Sequence, residues 1–143
     1  MIVYEKFIES NFQAANDAAI EIIEILKTRW PCLDAKVIFR INFVLRETLN
    51  NAVEHGNNFD KEKKVMCKVI KESEHLILEI KDEGNGITIK DEFFDKEDTE
   101  TLLRERKRGY QIINEMAFQV SIIGNCVKII LDLKQEECDN GKQ

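Results

Sequence analysis

Four of the six glycines in this 143-residue chain flank three short segments rich in Asn, Asp and basic residues, and these carry the first functional signal. In Asp82-Glu83-Gly84-Asn85-Gly86-Ile87 an acidic residue closing a strand-like run is followed by two glycines one residue apart. Backbone without side chains can approach a flat ligand closely. Taken alone, the same letters also describe an ordinary turn. Glu47, Asn51 and His55 recur at a spacing of four, so on a helix they share one side while Ile38, Leu45 and Leu49 face nearly opposite. A solvated helix face gives that pattern too. Phe43 and Val44 lie beside Glu47 on the helical wheel, however, and apolar cover there turns the polar pair toward a cleft. The third segment, Arg108-Gly109-Tyr110, follows a long run of charge.

These segments need elements to hold them, and the periodicity supplies a set. Residues 2–9, with Ile2, Tyr4, Phe7 and Ile8, predict an opening strand of imperfect alternation. Ala15, Ala18, Ala19, Ile22, Ile23 and Leu26 recur at three and four, predicting a helix from Asn11 to about Arg29, capped by Ser10 or Asn11 and closed by Trp30-Pro31. A second helix starts near Asp34 and runs through Ile38, Ile41, Leu45, Leu49, Ala52 and Val53 to a stop at His55-Gly56-Asn57, where His55 and Gly56 are read as capping it. After a polar loop, residues 65–72 and 76–82 predict an antiparallel hairpin over Ser73-Glu74-His75, with Leu76, Leu78 and Ile80 on one face.

Residues 88–108 are dominated by charge and read as an exposed, mobile lid. A short helix from about Tyr110 to Ala117 follows, then strands near 119–123 and 126–133 joined by the turn dipeptide Gly124-Asn125, and a tail from Gln135 that should fray. The order predicts one α+β domain over 1–143, a two-layer sandwich with helices on one face of a mostly antiparallel sheet.

Composition narrows the function. With 43% hydrophobic and 34% charged residues and a single Pro, the chain can bury a core. Its 27 acidic against 21 basic residues give a net charge of −6, so direct binding to nucleic acid or to an anionic membrane is not expected. No apolar run approaches the roughly 20 residues that cross a bilayer. The first residues lack the pattern of a secretory signal, which makes the cytoplasm the expected compartment. Cys32, Cys67, Cys126 and Cys138 are far apart, with only His55 and His75 to help, so reduced, partly buried thiols are expected rather than a metal-thiolate site.

It is the combination that becomes specific. Glu47-x-x-x-Asn51-Ala52-x-x-His55-Gly56, then Asp82-x-Gly84-x-Gly86-Ile87, then a charged segment leading into Arg108-Gly109-Tyr110-x-Ile112-Ile113, occur in this order along the chain. Over residues 36–134 the sequence resembles the GHKL-type (Bergerat fold) ATP-binding domains, and among them the anti-sigma-factor serine/threonine kinases of bacterial partner-switching systems. The resemblance implies ATP and Mg2+ as cofactors. Asn51 would be the magnesium ligand, a neutral oxygen donor suited to a hard cation. Glu47 would be the general base toward a serine hydroxyl. Asp82 would accept from the adenine amino group, with Gly84, Gly86 and Ile87 close to the base and His55 and Gly56 beside the pocket. Gly109 would open a helix onto the phosphates, with Lys107 and Arg108 adding positive charge.

One position departs from the family pattern. Lys107 stands where a second glycine of the phosphate segment is usual, which implies either weaker nucleotide affinity or an ammonium that reaches a phosphate as a point charge. The resemblance further implies a homodimer, and as partners a STAS-type anti-anti-sigma protein and a sigma factor. A second reading is a binding module that sequesters a partner without kinase activity, with nucleotide as a switch or lost. A sensor histidine kinase ranks lower, because neither His55 nor His75 follows a dimerisation helix, and a stand-alone chaperone or repair ATPase ranks lower still.

Overall fold

In the computed structural model the residues described are 1–84, 116, 117 and 119–133. The charged segment 88–108, the tail from Gln135 and most of the short helix expected from Tyr110 lie outside them; only Met116 and Ala117 of that helix are within.

Strand β1 (Ile2–Glu9) turns Tyr4 and Ile8 inward and leaves Phe7 74% exposed. Its alternation is imperfect because the register with the next strand shifts between Ile2 and Tyr4, which re-aims the first residues. Helix α1 (Phe12–Arg29) is capped by Asn11, whose side chain accepts from the Ala14 N–H at 2.7 Å. Ala15, Ala18, Ala19, Ile22 and Leu26 are buried along one stripe, and the alanines let the helix sit close to its neighbours. Strand and helix are tied by Tyr4, whose hydroxyl donates to Glu21 Oε1 at 2.9 Å, and by Lys6 Nζ at 3.1 Å from both Glu21 oxygens. These bonds, that from Lys6 foremost, hold the Glu21 carboxyl below its ordinary range.

Helix α2 (Ala35–Asn51) begins at Asp34, which caps the Lys36 N–H at 3.0 Å. Its core face is Val37, Ile41, Val44, Leu45 and Leu49, all at most 4% exposed. Ile38, expected in that stripe, is only half-buried, because Val37 and Val44 take the centre of the face.

The hairpin forms from β2 (Lys64–Glu72) and β3 (His75–Lys81), turned by Ser73 at φ +56°. A second hairpin, β4 (Gln119–Ile123) and β5 (Cys126–Asp132), turns at Gly124 with φ +61°, a conformation that suits glycine. The five strands order as β1-β2-β3-β5-β4, every neighbouring pair antiparallel. Register stacks Cys67, Ile80 and Val127 in one inward row and Val69, Leu78 and Ile129 in the next. With Leu76 and Leu131 they form the floor on which the helices pack, and all are at most 4% exposed. Cys67 lies in this floor, and burial pushes its thiol up to about 12. Cys32, Cys67 and Cys126 are free thiols. Among the described residues no helix is long and apolar enough to cross a membrane.

Candidate functional site

Polar chemistry gathers where α2 ends and β3 ends. Glu47 is half-buried one turn before Asn51, and Asn51 is only 7% exposed. Beside Glu47, Val44 is fully buried and Phe43 half-buried, so the polar pair has the apolar cover its neighbours suggested. Among the described residues the Asn51 Nδ2 atom finds no hydrogen-bond partner, although a buried amide normally has one.

After Asn51 the helix does not simply stop. Residues Ala52–Gly56 form a π-helical turn, closed by the Asn57 N–H donating to the Ala52 carbonyl at 2.8 Å, five residues back. The chain then reverses through Asn58 and Phe59, at φ +55° and +59°. The capping role read for His55 and Gly56 is therefore corrected. The left-handed residues lie beyond them, and Asn57 closes the turn. His55 lies within the π turn, its side chain 13% exposed and its Nε2 at 3.8 Å from Glu54 Oε1.

Gly56 has a different reason to be glycine. A Cβ built there would overlap the Asp82 carboxylate. A Cβ on Gly84 would in turn strike the Gly56 carbonyl. Asp82 follows β3 directly, is 5% exposed, and accepts from the Gly84 N–H through Oδ1 at 2.8 Å. Gly56, Asp82 and Gly84 thus interlock, with the carboxylate held between two backbone segments that approach closely because neither carries a side chain.

The interlock is held by Asn57, Ser10 and Asn125, which the sequence placed only in a helix stop, a candidate cap and a turn. Asn57, 1% exposed, accepts the Glu83 N–H at 2.7 Å and donates to Ser10 Oγ at 2.9 Å and to the Lys64 carbonyl at 3.0 Å. Ser10 Oγ donates onward to the Lys63 carbonyl at 2.6 Å. Asn125, in the β4–β5 turn, donates through Nδ2 to the Asp82 carbonyl at 2.6 Å and accepts the Asp82 N–H through its own carbonyl at 3.0 Å. The one available signal was a cluster of Asn beside the glycines, and Asn in turns is common enough to be silent.

Of the residues expected in a nucleotide site, the structure brings Gly56, Asp82 and Gly84 into contact, and sets Glu47 and Asn51 on the helix that runs into them. Gly86, Ile87, Lys107, Arg108 and Gly109 lie outside the described residues. The residues present fit Mg-ATP. The Asn51 amide offers an oxygen suited to a hard cation that takes its remaining ligands from phosphate and water, and its buried, unpartnered Nδ2 can donate to an added acceptor. The described residues hold no cluster of three or more His, Cys, Asp or Glu that would make a cage without such ligands. A groove of about 750 Å3 lies elsewhere, at the start of α2, lined by Lys36, Phe39, Arg40, Met116 and Asp132 among others.

The family model of the histidine kinase-like ATPase domain matches residues 12–131. Among solved structures, the histidine kinase AdeS of Acinetobacter baumannii aligns with a TM-score of 0.43 and 17% identity, over 94% of this chain and 70% of that one. No curated protein matches the sequence.

Proposed function

The chain belongs to the histidine kinase-like ATPase domain family, and on that premise we propose that it is an ATP-dependent protein serine kinase and anti-sigma factor, acting on a STAS-type antagonist in a bacterial partner-switching system. The observation that carries the nucleotide half of this reading is the interlock of Gly56, Asp82 and Gly84, following a helix that ends in a buried Asn51 amide whose nitrogen has no partner among the described residues. Family membership implies an ATP-binding, kinase-like function, and the finer assignment rests on the residues.

Bound Mg2+ supplies charge neutralisation at the phosphates. Asn51 holds that cation through its amide oxygen. Asp82, a carboxylate that only accepts hydrogen bonds, pairs with the adenine amino group and disfavours guanine, which presents a carbonyl there. Glu47 takes the proton from the attacking serine hydroxyl. Gly84, Gly86 and Ile87 flank the base, His55 and Gly56 border the pocket, and Lys107, Arg108 and Gly109 serve the phosphates. The protein works in the cytoplasm as a homodimer and alternates between a sigma factor and the STAS-type protein.

Lys107 in the place of a family glycine favours a second reading, in which nucleotide only switches a sequestering surface, or has been lost. Thermal unfolding with ATP, ADP and GTP, each with and without magnesium, separates the two. Ligand at about a hundredfold excess over Kd adds roughly 2.7 kcal/mol, several degrees for a domain of this size. A magnesium-dependent shift with ATP and ADP but not GTP supports the pocket. Transfer of radiolabelled phosphate to a STAS-type protein then supports the kinase. No shift with any nucleotide leaves pure sequestration.

A further inference from the structure

A groove crosses the first turns of α2, at the end of the helix farthest from Asn51. On one side lies the hollow of about 750 Å3 whose walls include Lys36, Arg40, Met116 and Asp132. On the other a hollow of about 500 Å3 runs between the end of α1 and α2, lined by Lys27, Trp30, Pro31, Leu33 and Ile38 among others. Ala35 and Phe39 line both, so the two hollows form one surface, with a low saddle at the small Ala35 and a ridge at Phe39, which is 64% exposed. Trp30 is a wall held from both sides, its ring 5.1 Å from the Arg29 guanidinium and 5.1 Å from the Lys71 ammonium. Among the described residues neither Lys27 nor Arg40 takes part in an ion pair. Cations thus gather around an apolar floor, and among the described lining residues the one carboxylate is Asp132. This happens in a chain whose net charge is −6.

We propose that this groove docks an acidic segment of a partner protein, which seats one apolar side chain in each hollow and turns Asp or Glu toward Lys27 at one end and Arg40 at the other. Charge selects the occupant. A local surplus of cations on an acidic chain attracts carboxylates and turns away basic segments. Two apolar hollows on either side of a ridge call for side chains spaced along a peptide backbone, and the overall negative charge opposes a long polyanion such as nucleic acid. Trp30, Phe39 and Met116 are the residue types on which protein interfaces anchor. Along α2 about 24 Å separates Ala35 from Asn51, so a segment bound here leaves Glu47 and Asn51 uncovered. The chain can hold a partner and a nucleotide at once. This goes beyond the function proposed above and holds whether or not phosphate is transferred.

Trp30 is the only tryptophan in the chain, so its fluorescence reports directly on the groove. The experiment selects a random dodecapeptide display library on the full chain, with Phe39→Asp protein as the counter-target, and titrates the selected peptides, made without Trp, against Trp30 emission. Phe39 is exposed, and circular dichroism checks that each variant folds. Peptides that need Phe39 are expected to carry two apolar positions and several Asp or Glu, and to shift Trp30 emission. Lys27→Glu and Arg40→Glu should each weaken them by about tenfold or more. A peptide whose acid is changed to Lys should regain affinity for the Arg40→Glu protein. Wild type and Phe39→Asp should show the same thermal shift with Mg-ATP, so loss of peptide alone is read at the groove and not at the nucleotide site. An altered shift in Phe39→Asp overturns the independence of the two sites. The absence of peptides that need Phe39, or peptides with no acidic bias, overturns the docking site. A Trp30 response to decanoate or to oligothymidylate but to no selected peptide overturns the protein partner as its occupant.

Discussion

The Asp82 carboxylate occupies the space that a side chain on Gly56 would need, so the π turn after α2 and the end of β3 meet this closely because residue 56 is glycine. The contact is between a side chain and a backbone, and it fixes the Asp82 carboxylate relative to the helix that carries Asn51 and Glu47. Gly56→Ala should therefore act twice. Overpacking at a buried contact costs about 1–3 kcal/mol, readable by denaturant titration. The displaced carboxylate should also weaken ATP binding by about tenfold or more while Asn51 stays in place. Unchanged ATP affinity in a folded Gly56→Ala protein would separate Asp82 from the nucleotide.

Glu47→Gln tests the catalytic role with little change of shape. A general base contributes about 100- to 10,000-fold, so phosphate transfer to a STAS-type protein should fall by at least about a hundredfold while the thermal shift with Mg-ATP persists. Full transfer activity would remove Glu47 from the chemistry. Loss of binding together with transfer would assign it to the cation instead.

Asp82→Asn keeps the volume and changes what the group offers to the base. An amide can donate as well as accept, so the preference for ATP over GTP should narrow. Competition binding with the two nucleotides measures this directly. A preference as strong as that of the wild type would place the base elsewhere.

Much of this frame follows from local rules, which is why it was readable. Asn11 and Asp34 cap the helices as their residue types predict, and Leu76, Leu78 and Ile80 fall on one buried face as their alternation requires. The hairpin turns at Ser73 and Gly124 also lie where the turn residues suggested. What sequence could not supply depends on tertiary contact. The spacing of Glu47, Asn51 and His55 assumes a regular helix, and the π turn from Ala52 to Gly56 breaks that period just where the site begins. Gly56 reads as a helix stop because glycine usually is one, whereas its real constraint comes from Asp82, far along the chain. Phe7 and Ile123 show the same limit at the surface, since only the pairing register decides that they face away from the core.

Asn57 is the residue on which this distant constraint depends. It joins the end of α2 to Glu83, to Lys64 and to Ser10 through three hydrogen bonds, all from one buried side chain. Asn57→Ala leaves the Glu83 N–H and the Lys64 carbonyl without that partner, at about 1–3 kcal/mol for each group left unsatisfied. Stability should fall by a few kcal/mol, and hydrogen exchange at the Glu83 amide should accelerate more than at the centre of β3. Uniform acceleration across both would mean that Asn57 serves global stability and does not clamp the site.

The Cys67 thiol gives a pH signature that belongs to the core and not to the site. Burial raises it to about 12 from an ordinary value of 9.0. Between those values the unfolded chain has released a proton that the folded chain still holds, so stability declines as pH rises through this window. The stabilising contribution is fully present below pH 9.0 and is lost by about 12. Cys67→Ala removes the group, and its stability should fall less steeply from pH 9 upward, the slopes differing by up to about 1.4 kcal/mol per pH unit. Denaturant unfolding at a series of alkaline pH values measures both slopes. Thiol labelling at neutral pH gives the independent check. Exposed Cys32 should react at once and Cys67 only as fast as the protein opens. Equal slopes with prompt labelling of Cys67 would mean that the row Cys67, Ile80 and Val127 is open to solvent, and the floor beneath the helices would have to be redrawn.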